Sequence, residues 1–290
     1  MLPPVIQLLR PQQWVKNAFV LMPLFFDKKF TDMPLLGLSL VCVAVFSLAA
    51  SAGYCLNDIL DRKADAQHPE KCKRPIASGA VSVGTGWALA VVCAAAAVAL
   101  TWWLIPQCLW IVPAYLVLNI VYSTWLKHIN LIDMLVVALF YVMRVVAGAL
   151  ACSIVATQWI VVMTFLLALF LVLGKRRDDV VLQAEQGKVV RRGATGYNLQ
   201  FVNIALTLVA TVTVVAYMMY TMSEEVTARL GSDYVYGTSV FVLAGILRYM
   251  QISVVDNHSG SPTKVLLRDH FIQLCVLGWI AAFCLIIYCH

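Results

Sequence analysis

Charge is what this sequence has least of. Only 12% of its 290 residues are Asp, Glu, Lys or Arg, where soluble domains carry about 25%. With 62% of residues hydrophobic and a mean hydropathy of +0.85, a water-soluble globular enzyme is excluded, and so is a disordered chain. Nine cysteines occur without a C-x-x-C pair, and the chain is too long for a disulfide scaffold, so free thiols packed among helices are expected. No soluble domain or low-complexity linker interrupts the apolar runs. No small-residue cleavage site follows the first of them, and a cleaved signal peptide is not expected. Strand-like alternation is also missing, which disfavours a β-barrel.

What is present is a succession of nine apolar runs: Trp14–Phe26, Pro34–Cys55, Thr85–Ile105, Leu109–Leu126, Leu131–Ala151, Thr157–Leu173, Leu199–Met222, Tyr234–Val254 and Val265–Tyr288. Most have the length of a helix that crosses a bilayer. The expected fold is an all-α polytopic membrane protein, a nine-transmembrane-helix bundle forming one domain over residues 1–290. Basic residues orient it. Of the 21 lysines and arginines, only Lys28, Lys29 and Arg229 fall on the side opposite the N-terminus, and Arg144 falls inside a span. The positive-inside rule therefore predicts a cytoplasmic N-terminus and an external C-terminus. The external loop Ser223–Asp233 is net acidic.

Polar residues gather in two cytoplasmic loops, about 56–84 and 174–198. If the second span continues as a helix past Cys55, Asp58, Asp61 and Asp65 share one face at i, i+3 and i+7, overlapped by Tyr54, Asn57 and Asp61. Carboxylates so close need a cation. Basic residues alone suffice in principle, but a divalent ion fits the spacing better, and magnesium typically takes one or two carboxylates plus substrate phosphates. Lys71, Lys73 and Arg74 follow at once and suit phosphate oxygens. A solvated helix end is the plainer reading. The second loop begins Gly174-Lys175-Arg176-Arg177-Asp178-Asp179 and adds Lys188, Arg191 and Arg192. Topology alone asks for such cations, yet both loops follow spans that end on the same side and are expected to face one cavity.

Other positions resist a purely topological account. Arg144 lies deep in its span, a costly place unless it faces a cavity or a partner carboxylate. Lys16 and Asn17 open the first span, and Tyr122, Ser123, Lys127, His128 and Asp133 surround a tight turn. Arg248, Tyr249, Lys264, Arg268 and Asp269 edge the last cytoplasmic loop, as anchors or as substrate contacts. His68 and His128 have no metal-ligand spacing with a second histidine.

Asn57-Asp58-x-x-Asp61-x-x-x-Asp65 resembles the first aspartate-rich motif of the UbiA superfamily of membrane prenyltransferases. Leu9-Arg10-Pro11-Gln12-Gln13-Trp14-Val15-Lys16-Asn17, His68-Pro69-x-Lys71-x-x-Arg74-Pro75-Ile76-Ala77-Ser78-Gly79, Tyr122-Ser123-x-x-Leu126-Lys127-His128, Arg144-x-x-x-Gly148, Gly174-Lys175-Arg176 and Arg248-Tyr249 are similar to its decaprenyl-phosphate phosphoribosyltransferase branch. The resemblance implies a nine-helix fold and transfer of 5-phosphoribose from 5-phosphoribosyl 1-diphosphate (PRPP) to a polyprenyl phosphate, with release of diphosphate. It also implies a product that serves cell-envelope glycans containing arabinose, and a site that faces the cytoplasm at a bacterial inner membrane. It further implies Mg²⁺ on the PRPP diphosphate, held by Asn57, Asp58, Asp61 and Asp65. Lys16, Tyr54, Lys71 and Arg74 then position the PRPP phosphates, and Lys127, Arg144 and Lys175 hold the lipid phosphate or share the phosphoribose. Tyr122 and Arg176 complete the substrate-binding set.

Transfer between two polyanions needs cations and a metal, not a nucleophilic triad, and the residues match that need. A second D-x-x-x-D motif is missing: Asp178 is followed four residues on by Leu182, and Asp179 by Gln183. This argues against the alternative of an aromatic prenyltransferase that binds its prenyl diphosphate donor through metal at both loops. A lipid or solute transporter is the other alternative, and polar residues confined to one membrane face argue against it. The bilayer and the two phosphorylated substrates are the expected partners; nucleic acid is not.

Overall fold

The computed structural model describes residues 2–67, 71–186, 196–256 and 262–288. Among them every regular element is helical, as expected. The chain forms two compact units, Met1–Val161 and Val162–His290.

The first unit opens with a short helix, α1 (Pro4–Leu9), a left-handed residue, Arg10 (φ 52°), and an eleven-residue 3-10 helix, Pro11–Leu21. Runs of 3-10 helix beyond three or four residues are uncommon, and packing accounts for this one. A 3-10 helix rises about 2.0 Å per residue and an α-helix about 1.5 Å, so three residues of one keep step with four of the other. Along α3 (Met33–Ala66), Trp14 and Asn17 donate to Ser51 and Ser47 at 3.1 and 2.8 Å, three residues against four. Along α6 (Ile132–Ala151), Asn17 accepts from Arg144, and the Val20 carbonyl rests on Gly148, again three against four. A Cβ on Gly148 would stand 1.9 Å from the Val20 oxygen, so only glycine admits this approach. The run Trp14–Phe26, expected as a first span, is thus this 3-10 helix followed by α2 (Met22–Phe26).

Helix α3 is unbroken for 34 residues, so the expected continuation past Cys55 is present. At 1.5 Å per residue it reaches about 51 Å, some 20 Å more than a hydrocarbon core, which leaves room for its polar end beyond the apolar layer. Asp32 caps its start by accepting the Leu35 N–H. Helices α4 (Val83–Leu104) and α5 (Ile111–Thr124) follow, and α3 packs against α4, α5, α6 and the 3-10 helix. In their most apolar stretches α3 is 50% and α6 61% buried, against 17% for α4, so α3 and α6 are the unit's core. Between them Phe46, Tyr115 and Phe140 stack edge to face.

The second unit comprises α7 (Gln158–Gln186), which begins just before the boundary, α8 (Leu199–Thr221), α9 (Glu224–Leu230), α10 (Ser239–Val254), α11 (Pro262–Arg268) and α12 (His270–Tyr288). The acidic stretch expected as a loop, Ser223–Asp233, folds into α9 with Glu224 and Glu225 in its first turn, where the helix dipole favours them. Helix α10 packs on α8 and α12. Seven described helical segments are long and apolar enough to cross a membrane, and His270–Ile286 is a shorter apolar one. Helices of this number, length and composition make the chain a multi-pass membrane protein. None of the eight described cysteines is in a disulfide.

Candidate active site at the polar end of α3

The helical spacing of the three aspartates acts as the sequence suggested, but the groups that meet them are protein cations. Asp58 is 2% exposed, and its Oδ1 accepts from Arg10 Nη2 at 2.5 Å and Arg74 Nη1 at 3.2 Å. The same Arg74 nitrogen reaches Asp65 Oδ2 at 2.6 Å. One turn along the helix from Asp58, Asp61 Oδ1 receives Lys127 Nζ at 2.6 Å, and Asn57 Oδ1 lies 3.5 Å from that nitrogen. Arg10 also lies over the Tyr54 ring, 5.1 Å from its centroid.

Sequence separation is bridged in three ways. Arg10 is delivered by the left-handed kink between α1 and the 3-10 helix, a segment further tied by the Ser51 hydroxyl donating to the Leu9 carbonyl at 2.9 Å. Arg74 arrives from the turn that begins at the short 3-10 helix Lys71–Lys73, and Lys127 from another, Leu126–His128, after α5. Lys127 is buried, so its ammonium is aimed inward at the motif instead of out into solvent. Salt bridges this well buried stabilise only when each charge finds its partner.

One acceptor in the cluster lacks a partner: Asp58 Oδ2, buried and without a hydrogen bond. A buried anionic oxygen is costly when unpaired, and it is a hard donor of the kind magnesium takes. Asp61 adds a side chain 31% exposed, open to an entering ligand. Among the described residues no three His, Cys, Asp or Glu side chains already form a metal cage. An ion bound here would rest on one or two of these carboxylates and draw its other ligands from substrate and water, so the residues fit it.

Arg144 meets neutral partners and not a carboxylate. Its Nε donates to Asn17 Oδ1 at 2.7 Å, Nη1 to the Phe140 carbonyl at 2.7 Å and Nη2 to the Tyr115 hydroxyl at 2.8 Å, with the Tyr115 and Tyr141 rings over it. These partners are neutral and bind α6 to the 3-10 helix and α5. Tyr122 packs edge to face on Phe140, while Lys16 and Lys71 are half-buried in the same unit.

In the second unit, the Lys-Arg-Arg run lies within α7. Lys175 is exposed and Arg176 buried, the latter bonded to Asp179 at 3.0 Å along the helix. Arg177 donates to Asn203 on α8 at 2.8 Å and to the Ser253 and Val254 carbonyls that end α10. Gly174 meets the Tyr249 ring, where a Cβ would stand 2.6 Å from its carbon, so two of the sequence fragments quoted above touch. Arg248 pairs with Asp269 at 2.8 Å. His68, Pro69, Lys188, Arg191 and Arg192 lie outside the described residues, and so does the Lys264 side chain. Sequence reasoning left Arg10 out of the site, although its place in the Leu9–Asn17 fragment was a signal.

The model of the UbiA prenyltransferase family matches residues 20–267. A decaprenyl-phosphate phosphoribosyltransferase of Mycobacterium tuberculosis (strain H37Rv) is 33% identical over 281 residues, covering 96% of this chain and 92% of that protein. Its counterpart of the same name in Corynebacterium glutamicum is 32% identical, covering 97% and 85%. The fold is shared with a UbiA homolog from Archaeoglobus fulgidus solved with DMAPP and Mg²⁺, at a TM-score of 0.70, 18% identity and 98% coverage of both chains.

Proposed function

This chain belongs to the UbiA prenyltransferase family, and we propose that it is the enzyme that transfers 5-phosphoribose from PRPP to a polyprenyl phosphate. The observation that carries the reading is the meeting of three carboxylates with three cations at the end of α3, around one unpartnered buried oxygen. The names of the relatives that match over nearly the whole chain support the same donor and acceptor.

In this reading one or two side chains from the set Asn57, Asp58, Asp61 and Asp65 would hold Mg²⁺, with substrate oxygens and water completing its shell. Bound there, the ion neutralises charge that develops on the departing diphosphate. Arg74 and Lys71, with Lys16 and Tyr54, orient the donor phosphates, and Lys127, Arg144, Lys175, Arg176 and Tyr122 serve the acceptor phosphate or the phosphoribose. The acceptor oxygen is already anionic, so no side-chain base has to activate it. The bond from ribose C1 to diphosphate breaks, the bond from C1 to the acceptor phosphate forms, and diphosphate leaves with the electron pair. Positioning and electrostatics supply the rate. We read the chain as a single catalytic domain of nine spans in a bacterial inner membrane, with its N-terminus and site on the cytoplasmic side, where the basic residues cluster. Its product would supply cell-envelope glycans that contain arabinose.

The test is a detergent-solubilised assay with Mg²⁺, labelled PRPP and decaprenyl or undecaprenyl phosphate. Label should enter the lipid phase and fail to do so with EDTA. A parallel reaction offers prenyl diphosphate and 4-hydroxybenzoate, because the A. fulgidus homolog with this fold was solved with DMAPP. Activity in that reaction alone would overturn the reading in favour of an aromatic prenyltransferase.

A further inference from the structure

We propose that Arg10 is a mobile counter-charge of the active site: it holds Asp58 while the site is empty and passes to the donor's diphosphate when metal and diphosphate enter together. The inference rests on the functional reading above and adds a binding role for a residue outside the aspartate motif.

Asp58, Asp61 and Asp65 are met by Arg10, Arg74 and Lys127, so the cluster is formally neutral without any ligand. A neutral cluster attracts neither a bare divalent cation nor a bare polyanion strongly. Adding both at once preserves the balance, because each new charge meets an existing partner of opposite sign. Metal and diphosphate are then bound as a pair, and each raises the affinity for the other.

Geometry selects Arg10 as the group that moves. Two guanidinium groups share a single oxygen of Asp58, and Arg74 already has a second carboxylate in Asp65. Release of Arg10 thus leaves Asp58 with a guanidinium on Oδ1, and its open Oδ2 gains a cation. Release of Arg74 would strip two carboxylates. Arg10 is also 21% exposed, and its guanidinium rests on the Tyr54 ring, an aromatic face over which a cation can turn while it stays in contact. Its backbone has no need to move. The flanking residues are pinned to α3 through Leu9, Trp14 and Asn17, so the side chain swings from a fixed base.

The experiment reads binding, not turnover. Mn²⁺ replaces Mg²⁺, and free Mn²⁺ is followed by electron paramagnetic resonance in titrations of the full-length protein in detergent. Each titration is run alone, with PRPP and with inorganic diphosphate. The wild type should bind Mn²⁺ weakly alone and at least about tenfold more tightly with either anion. Arg10→Gln leaves one uncompensated negative charge, so it should bind Mn²⁺ alone several-fold more tightly than the wild type and lose most of the gain from the anion. Arg10→Lys, which keeps the charge and the fold's ion pair, should return the Mn²⁺ affinity toward wild type. If Arg10→Gln and Arg10→Lys both retain the wild-type affinities with and without anion, the proposal falls and the phosphoribosyl reading survives. If the wild type responds to diphosphate but not to PRPP, the donor assignment falls while the Arg10 exchange stands.

Discussion

Both units pair arginine with aspartate, and they use the pairs differently. In the first, the bonds converge: Arg10, Arg74 and Lys127 come from three separate segments to one stretch of α3, and one buried oxygen is left open. In the second, they spread out. Arg176 meets Asp179 on its own helix, Arg177 fastens α7 to α8 and α10, and Arg248 ties α10 to the start of α12. Bonds dispersed between neighbouring helices hold a fold together. Bonds that converge on an unfilled acceptor concentrate field where a ligand can use it. The Arg144 cage in the first unit is a third arrangement, whose partners are neutral and come from the elements it joins.

The contrast is broken most directly at its convergent end. Asp61→Asn keeps an acceptor for Lys127 and removes a charge, so the protein should purify as a monodisperse sample. Turnover should fall by about 10²–10³-fold, the usual effect of removing one electrostatic group from a reacting centre. Activity within tenfold of wild type would place Asp61 among the structural pairs. At the dispersed end, Arg177→Met should reverse the pattern. Two carbonyls and Asn203 lose their donor, and thermal unfolding should report a loss of about 2–3 kcal/mol. The variant should retain its requirement for both substrates at temperatures where it stays folded. A smaller effect follows at Lys175, which is exposed. Lys175→Met should raise the concentration needed of one phosphorylated substrate by about five- to tenfold and leave the other unchanged, since one screened charge is lost. Equal behaviour toward both substrates would return Lys175 to topology alone.

Much of this contrast is visible in the sequence, and its gaps have a physical cause. The 3.6-residue period placed Asp58, Asp61 and Asp65 on one helix face, and hydropathy located the runs that fold as the seven described membrane-length segments, because both signals are local. The identity of the cations is not local. Arg10 and Lys127 meet α3 across 48 and 66 residues of sequence. Nor does hydropathy distinguish a 3-10 helix from an α-helix in Trp14–Phe26. That choice is made by the register of Trp14, Asn17 and Val20 against two neighbours, through Ser47, Ser51 and Gly148. The run of basic residues at Lys175–Arg177 looked uniform, yet burial separates an exposed lysine from two arginines already bonded within the fold.

The smallest effect belongs to Asp269, where a pair and a cap share one side chain. Its Oδ2 accepts from Arg248 at 2.8 Å, and its Oδ1 accepts the Ile272 N–H at 2.9 Å as the cap of α12. The Arg248 guanidinium holds this carboxyl below the usual carboxylate range. A depressed value in the folded state means that the stabilisation is complete above the unfolded value, about pH 4, and fades as the pH falls through the lower folded one. Asp269→Asn keeps an oxygen for the cap and loses only a solvent-screened pair, so at pH 7 its unfolding temperature should lie close to wild type. Asp269→Ala loses the cap as well and should cost about 1 kcal/mol. At pH 3 the wild type should move toward the asparagine variant while the alanine variant stays below both. If asparagine and alanine are equally destabilised at pH 7, the pair outweighs the cap, and a charge in the second unit carries more energy than its dispersed arrangement implies.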